Sequence, residues 1–167
     1  RSALAWWIRL LDEPEGRPLP FDVQGRTLHV PVPDGEGSGS VAVAYYRPRD
    51  PEWRTRMGQA EVPDELRAMW QQTKEQDIAE VEAVAPVAAL WTWPELADGF
   101  WLHFTYNMVA QGTAVRGTSS VHNLNLLTYE LWAQAKQREL YLWMEYVNTK
   151  DNPIDKASRR DTRDLYD

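Results

Sequence analysis

Two short apolar strands joined by a glycine-rich turn constrain this chain more than any other feature. Leu28, Val30 and Val32 recur at every second position up to Pro33-Asp34-Gly35, the period of a strand with one buried face. A Gly/Ser tract follows, and Ser40–Tyr46 forms a second strand rich in β-branched and aromatic residues. Together they read as a hairpin. An isolated hairpin cannot bury enough surface to stand alone, so the rest of the chain must supply further strands and cover.

It has the material to do so. At 167 residues with 43% hydrophobic content, the chain is long enough for one domain with a sizeable core. A third strand is expected near residues 54–60 and a short helix over 63–72, with Pro63 suited to its first turn. Residues 74–92 form a longer, alanine-rich helix with Ile78, Val81, Val84, Ala85 and Ala88 on its inner face. Pro86 interrupts it: proline has no amide hydrogen for the carbonyl four residues back, that of Glu82, so a kink is expected there. Phe100–Thr105 is the next strand, a helix starts near Asn107, and Gly117–Ser120 breaks the helical region. Leu124–Arg138 is a second long helix, Tyr141–Val147 a last strand, and Asn152-Pro153 opens a final helical turn. The order β-β-β-α-β-α-β-α describes an α/β (α+β) domain, a mixed sheet with helices packed on it.

Ahead of this lie Leu4, Trp7, Ile8 and Leu11 on one helical face, then a proline-rich stretch over 12–20. The organisation expected is therefore an N-terminal helix and linker over 1–20 and a main domain over 21–167. The chain starts at Arg1, as a piece of a longer or processed protein would, and nothing there reads as a signal peptide. No apolar run approaches membrane-spanning length, so no membrane insertion and an intracellular location are expected. The chain contains no cysteine, which excludes disulfides and thiolate metal sites.

Against this background three carboxylates stand out. Asp34 lies at a strand end, Glu82 on the central helix and Asp155 in the terminal helical turn. A two-metal nuclease needs carboxylates converging from rigid elements, because two divalent ions must clamp the attacking water and the leaving oxygen. Hard ions such as Mg²⁺ take oxygen ligands. Plainer roles exist for two of the three. Asp34 before Gly35 suits a turn, and Asp155 suits the first turn of a helix. Glu82 is harder to dismiss, since its helical face is largely apolar and a buried carboxylate needs a partner or a metal.

The motifs Val32-Pro33-Asp34-Gly35, Gln76-Asp77-Ile78-Ala79-Glu80-Val81-Glu82-Ala83, Phe104-Thr105-Tyr106-Asn107 and Asn152-Pro153-Ile154-Asp155, followed by Ala157-Ser158-Arg159, occur in one order. In this the chain resembles the ribonuclease H-like fold, and more narrowly the ribonuclease H domain that follows reverse transcriptase in certain retroelements. The likeness covers roughly residues 28–160 and implies a five-stranded mixed sheet. It also implies an acidic set of Asp, Glu, Asp and Asp that holds Mg²⁺ and cleaves the RNA strand of an RNA/DNA hybrid. Asp34, Glu82 and Asp155 match the first, second and fourth members.

Tyr106 stands at the third, where the family reads Thr-Asp-Asn. Its hydroxyl, with a pKa near ~10, stays neutral and cannot replace an anionic ligand. Two further departures accompany it. Pro31 and Pro33 lie in the strand that is central in the family, where proline demands a bulge or altered geometry. No histidine occurs in the loop before Asp155, where many family members carry one. His29 and His103 fall on strands and His122 before a helix, positions that suit structural roles.

Net charge is −7, from 25 acidic and 18 basic residues, the wrong sign for binding nucleic acid through a general field. Basic clusters at 47–56 and 156–163 run against the trend. Of nine tryptophans, Trp91, Trp93, Trp101, Trp132 and Trp143 are expected in the core, with Trp6, Trp7, Trp53 and Trp70 nearer the periphery. Three readings follow. One is a working Mg²⁺-dependent ribonuclease H. Another is a cleavage-dead domain that still holds hybrid or duplex through Arg159, Arg160 and Asn107. The third is a structural or interaction module with protein partners in a larger assembly. Loss of the third carboxylate favours the non-catalytic readings, with Mg²⁺ bound only if the remnant acidic set still works.

Overall fold

The computed structural model describes residues 26–48, 50–52, 54–71, 77–96, 99–148 and 154. Within them the chain runs β1 (Thr27–Gly35), β2 (Ser40–Tyr46), β3 (Arg56–Glu61), α1 (Asp64–Gln71), α2 (Ile78–Thr92), β4 (Gly99–Thr105), α3 (Met108–Arg116), α4 (His122–Gln137) and β5 (Tyr141–Tyr146). The strands form one five-stranded mixed sheet in the order β3-β2-β1-β4-β5. The first three make the antiparallel meander, and β4 and β5 join in parallel. This is the mixed α+β architecture expected of the sequence. The N-terminal helix, the linker and the terminal turn carrying Asp155 lie outside the described residues.

Strand alternation divides the core in two. Val41, Val43 and Tyr45 point to one face and join Val81, Ala85, Leu90, Trp93, Trp101, Leu131 and Ala135 in the main cluster, beneath α2 and α4. Val32, Ala42 and Ala44 point to the other face and meet Ile154. Asp34 pairs with Ala42 and shares the parity of Val32, so it belongs to this second face.

The two prolines of β1 do not displace it from the centre. Thr27, Leu28 and His29 pair with Gly99, Phe100 and Trp101 of β4, and the recorded pairing stops there. The register with β2 runs without slip from Val30↔Tyr46 to Gly35↔Val41. Residues two apart present their amides to the same edge, so Pro31 and Pro33 remove donors from one ladder and spare the other. No bulge is needed on the β2 side.

Pro86 is likewise absorbed. The helix runs from Ile78 to Thr92 with Pro86 inside it. Nine of its residues, Pro86 among them, are buried, and packing sustains a helix through one lost hydrogen bond. The tryptophans also sort differently from expectation. Trp93 and Trp101 are buried, but Trp91 is 60% and Trp143 65% exposed, while Trp70 is only 2% exposed. Trp91 follows the fully buried Leu90 by a 100° helical step. Trp143 pairs with Leu102 on β4, which points it away from the helical layer.

Candidate functional site

The end of β1 that carries Asp34 meets α2 at the backbone. Gly35 lies against that helix: a Cβ there would come within 2.8 Å of Val81 C, Val81 O and Glu82 N. Only a residue without a side chain lets the end of β1 approach the helix this closely. Asp34 is 1% and Glu82 5% exposed, so both residues are buried. The expectation that Glu82 is a buried carboxylate holds. Glu80 is also fully buried at 0% exposure.

Tyr106 closes the same junction from a third element. It follows Thr105, the last residue of β4, and its hydroxyl donates to the Gly35 carbonyl at 3.5 Å, the long limit of such a bond. The Tyr106 side chain thus reaches the residue next to Asp34. Asn107 is the N-cap of α3, where its Oδ1 accepts from Val109 N at 2.9 Å and Ala110 N at 3.0 Å. This oxygen is committed to satisfying helix amides. Ile154, one residue before Asp155, is 1% exposed and packs in the cluster with Val32, on the face that carries Asp34. Asp155, Arg159 and Arg160 lie outside the described residues.

A second feature of the site was not anticipated from the sequence. Arg67 on α1 donates from Nε to Asp77 Oδ2 at 2.9 Å and from Nη2 to the Gly37 carbonyl at 2.8 Å, with Nη1 donating to the Ser38 carbonyl. One guanidinium thus ties the β1–β2 turn to the residue that precedes α2. Burial alone would raise the Asp77 carboxyl, but the hydrogen bond and charge of Arg67 hold it below the usual carboxylate range. Asp77 makes no side-chain cap to its helix because its oxygens face Arg67 and Gln71. No local pattern announces this pair, since its members sit on different elements.

The buried histidines differ. His29 Nδ1 accepts from the Tyr45 hydroxyl at 2.5 Å, and burial pushes that hydroxyl up to about 12, so it keeps its proton. His103 is 2% exposed, and burial pushes its imidazole down to about 3. It is therefore neutral at physiological pH. Both histidines have the strand positions read from the sequence, and His122 is the first residue of α4.

Chemically, this region offers the carboxyl groups of Asp34 and Glu82 and the hydroxyl of Tyr106. Among the described residues no three His, Asp or Glu side chains gather closely enough to hold a metal ion. No helix among the described residues is long and apolar enough to cross a membrane.

No family model matches the chain, and no curated protein matches it in sequence. Solved structures do. The N-terminal RNase H domain of a Mycobacterium tuberculosis protein, solved as a fusion with maltose-binding protein, aligns with a TM-score of 0.61 at 14% identity, over 83% of this chain and 95% of that one. RNase H1 from Halobacterium salinarum aligns with a TM-score of 0.57 at 10% identity, over 84% and 99%. An RNase H1 isolated from compost by a metagenomic approach gives 0.56 at 10% identity, over 86% and 100%. At such identities the shared property is the fold, and the fold is ribonuclease H-like.

Proposed function

We propose that this ribonuclease H-like domain is catalytically degenerate and acts as a non-catalytic module, binding nucleic acid or serving a structural role in a larger assembly. The observation that carries this reading is Tyr106, whose hydroxyl reaches the Gly35 carbonyl beside Asp34. A two-metal nuclease needs an anionic oxygen from this strand end, and a phenol remains neutral far above pH 7. Its ring also takes up space that a metal or its water would need. Losing several kcal/mol of transition-state stabilisation lowers the rate roughly a thousandfold or more. In this reading Asp34, Glu82 and Asp155 are the remnant of a metal site and bind Mg²⁺ weakly or not at all.

The test is cleavage of a labelled RNA/DNA hybrid in Mg²⁺, comparing the unmodified chain with Tyr106→Asp. The reading expects an inert parent and a variant that gains activity. Cleavage by the parent at an ordinary rate, abolished by Glu82→Gln, would overturn it. Binding of the hybrid, measured across a salt series, separates the two non-catalytic roles. Contacts through Arg159 and Arg160 predict affinity that falls with salt and weakens further when both are neutralised. Salt-independent silence assigns the domain to protein contacts.

A further inference from the structure

His103 faces a small cavity between the sheet and the helical layer. Its Nδ1 is buried and has no hydrogen-bond partner among the described residues. An imidazole nitrogen left so costs a substantial fraction of its hydration free energy. The cavity is lined by Glu82 and Pro86 from α2, His103 and Thr105 from β4, and Thr128 from α4. It leaves about 10 Å³ for the centre of a water molecule, close to the minimum that one water requires. The polar groups around it are of the kinds a water satisfies: an imidazole nitrogen and two threonine hydroxyls.

We infer that this cavity is an internal water site, in which one long-lived water bridges His103 Nδ1 to Thr128. The water accepts or donates at His103 as the tautomer requires, since water does either. It thereby links the middle of β4 to α4. The inference rests on the cavity and on His103, and stands whether or not the domain retains cleavage.

The experiment is NMR of the unmodified chain, reading water-to-protein Overhauser peaks at the His103 ring and the Thr128 side chain, with the ring nitrogens assigned by long-range ¹⁵N correlation. The expected result is a persistent water peak at both residues and an Nδ1 shift displaced from that of a nitrogen without a hydrogen bond. Thr128→Val, which keeps shape and removes one partner, should weaken the water peak at His103 and lower the melting temperature. A dry cavity in the unmodified chain, with Thr128→Val neutral or stabilising, would overturn the inference.

Discussion

The two ends of β1 are both built around a glycine, yet they do different things. At the first, Gly99 of β4 lies against β1 so closely that an added Cβ would collide with the Thr27 carbonyl and come within 3.0 Å of His29 Nε2. The elements meeting there are adjacent strands, and the one polar group nearby, His29, is paired with Tyr45. At the second, Gly35 lies against α2, and the elements meeting there come from far apart in sequence. The Tyr106 hydroxyl reaches Gly35 there, and Arg67 ties the turn that follows β1 to Asp77 before α2. Close backbone approach joins neighbouring strands at one end and a strand to a helix at the other. The difference lies in what the neighbouring elements carry.

Four predictions sharpen this contrast. The largest effect is expected for Gly35→Ala and Gly99→Ala, each of which forces a methyl into backbone atoms and should cost about 2–3 kcal/mol by denaturant unfolding. Only Gly35→Ala should also shift the amide resonances of Val81 and Glu82; equal shifts from both would break the comparison.

Acid sensitivity comes next. The His103 pKa is near 3 when folded and near 6.5 in the ordinary reference state, so the unfolded chain takes up the proton first. The stability contribution is complete above about pH 6.5 and declines as pH falls toward 3, by up to about 1.4 kcal/mol per pH unit. Asp77, whose folded value is lowered from 3.8, adds its loss only at the acid end of that range. Unfolding curves at pH 7 and pH 5 for the parent and His103→Phe check the assignment, and the variant should show a flatter response.

Arg67→Ala removes the tie between the hairpin turn and α2, leaving Asp77 buried with its main cationic partner gone. Breaking a wholly buried pair costs more, but the Arg67 side chain is 18% exposed, so a loss of about 1–2 kcal/mol is expected. The smallest effects compare the hydroxyls at the two ends. Tyr45→Phe strips His29 of its donor and should cost about 1 kcal/mol. Tyr106→Phe removes only a bond at the limit of reach and should stay below about 0.5 kcal/mol. Reversal of that order would mean that Tyr106 is the better anchored of the two.

Much of the frame was legible in the residues. The two-residue period of 28–46 gave the hairpin, and the apolar face around Val81 and Ala85 gave the central helix. The burial of Glu82 followed from the residues around it. What failed failed for a common reason. Trp70 and Trp91 were assigned to the wrong compartments because composition does not say which face of a helix meets the sheet. Arg67 and Asp77 were missed because their pairing depends on how α1 lies across the hairpin turn.

The sequence by itself determined the elements and the identity of the side chains that can do chemistry. Asp34 and Glu82 carry carboxyl groups wherever the chain places them, and Tyr106 carries a phenol wherever it lies. Those properties are local, fixed by covalent structure and by periods of two or 3.6 residues. Only the tertiary structure decided which of them meet. The approach of Gly35 to α2, the reach of Tyr106 to the Gly35 carbonyl and the small cavity beside His103 depend on distances between segments tens of residues apart. Such distances are set by the packing of whole faces, which no short window of sequence contains.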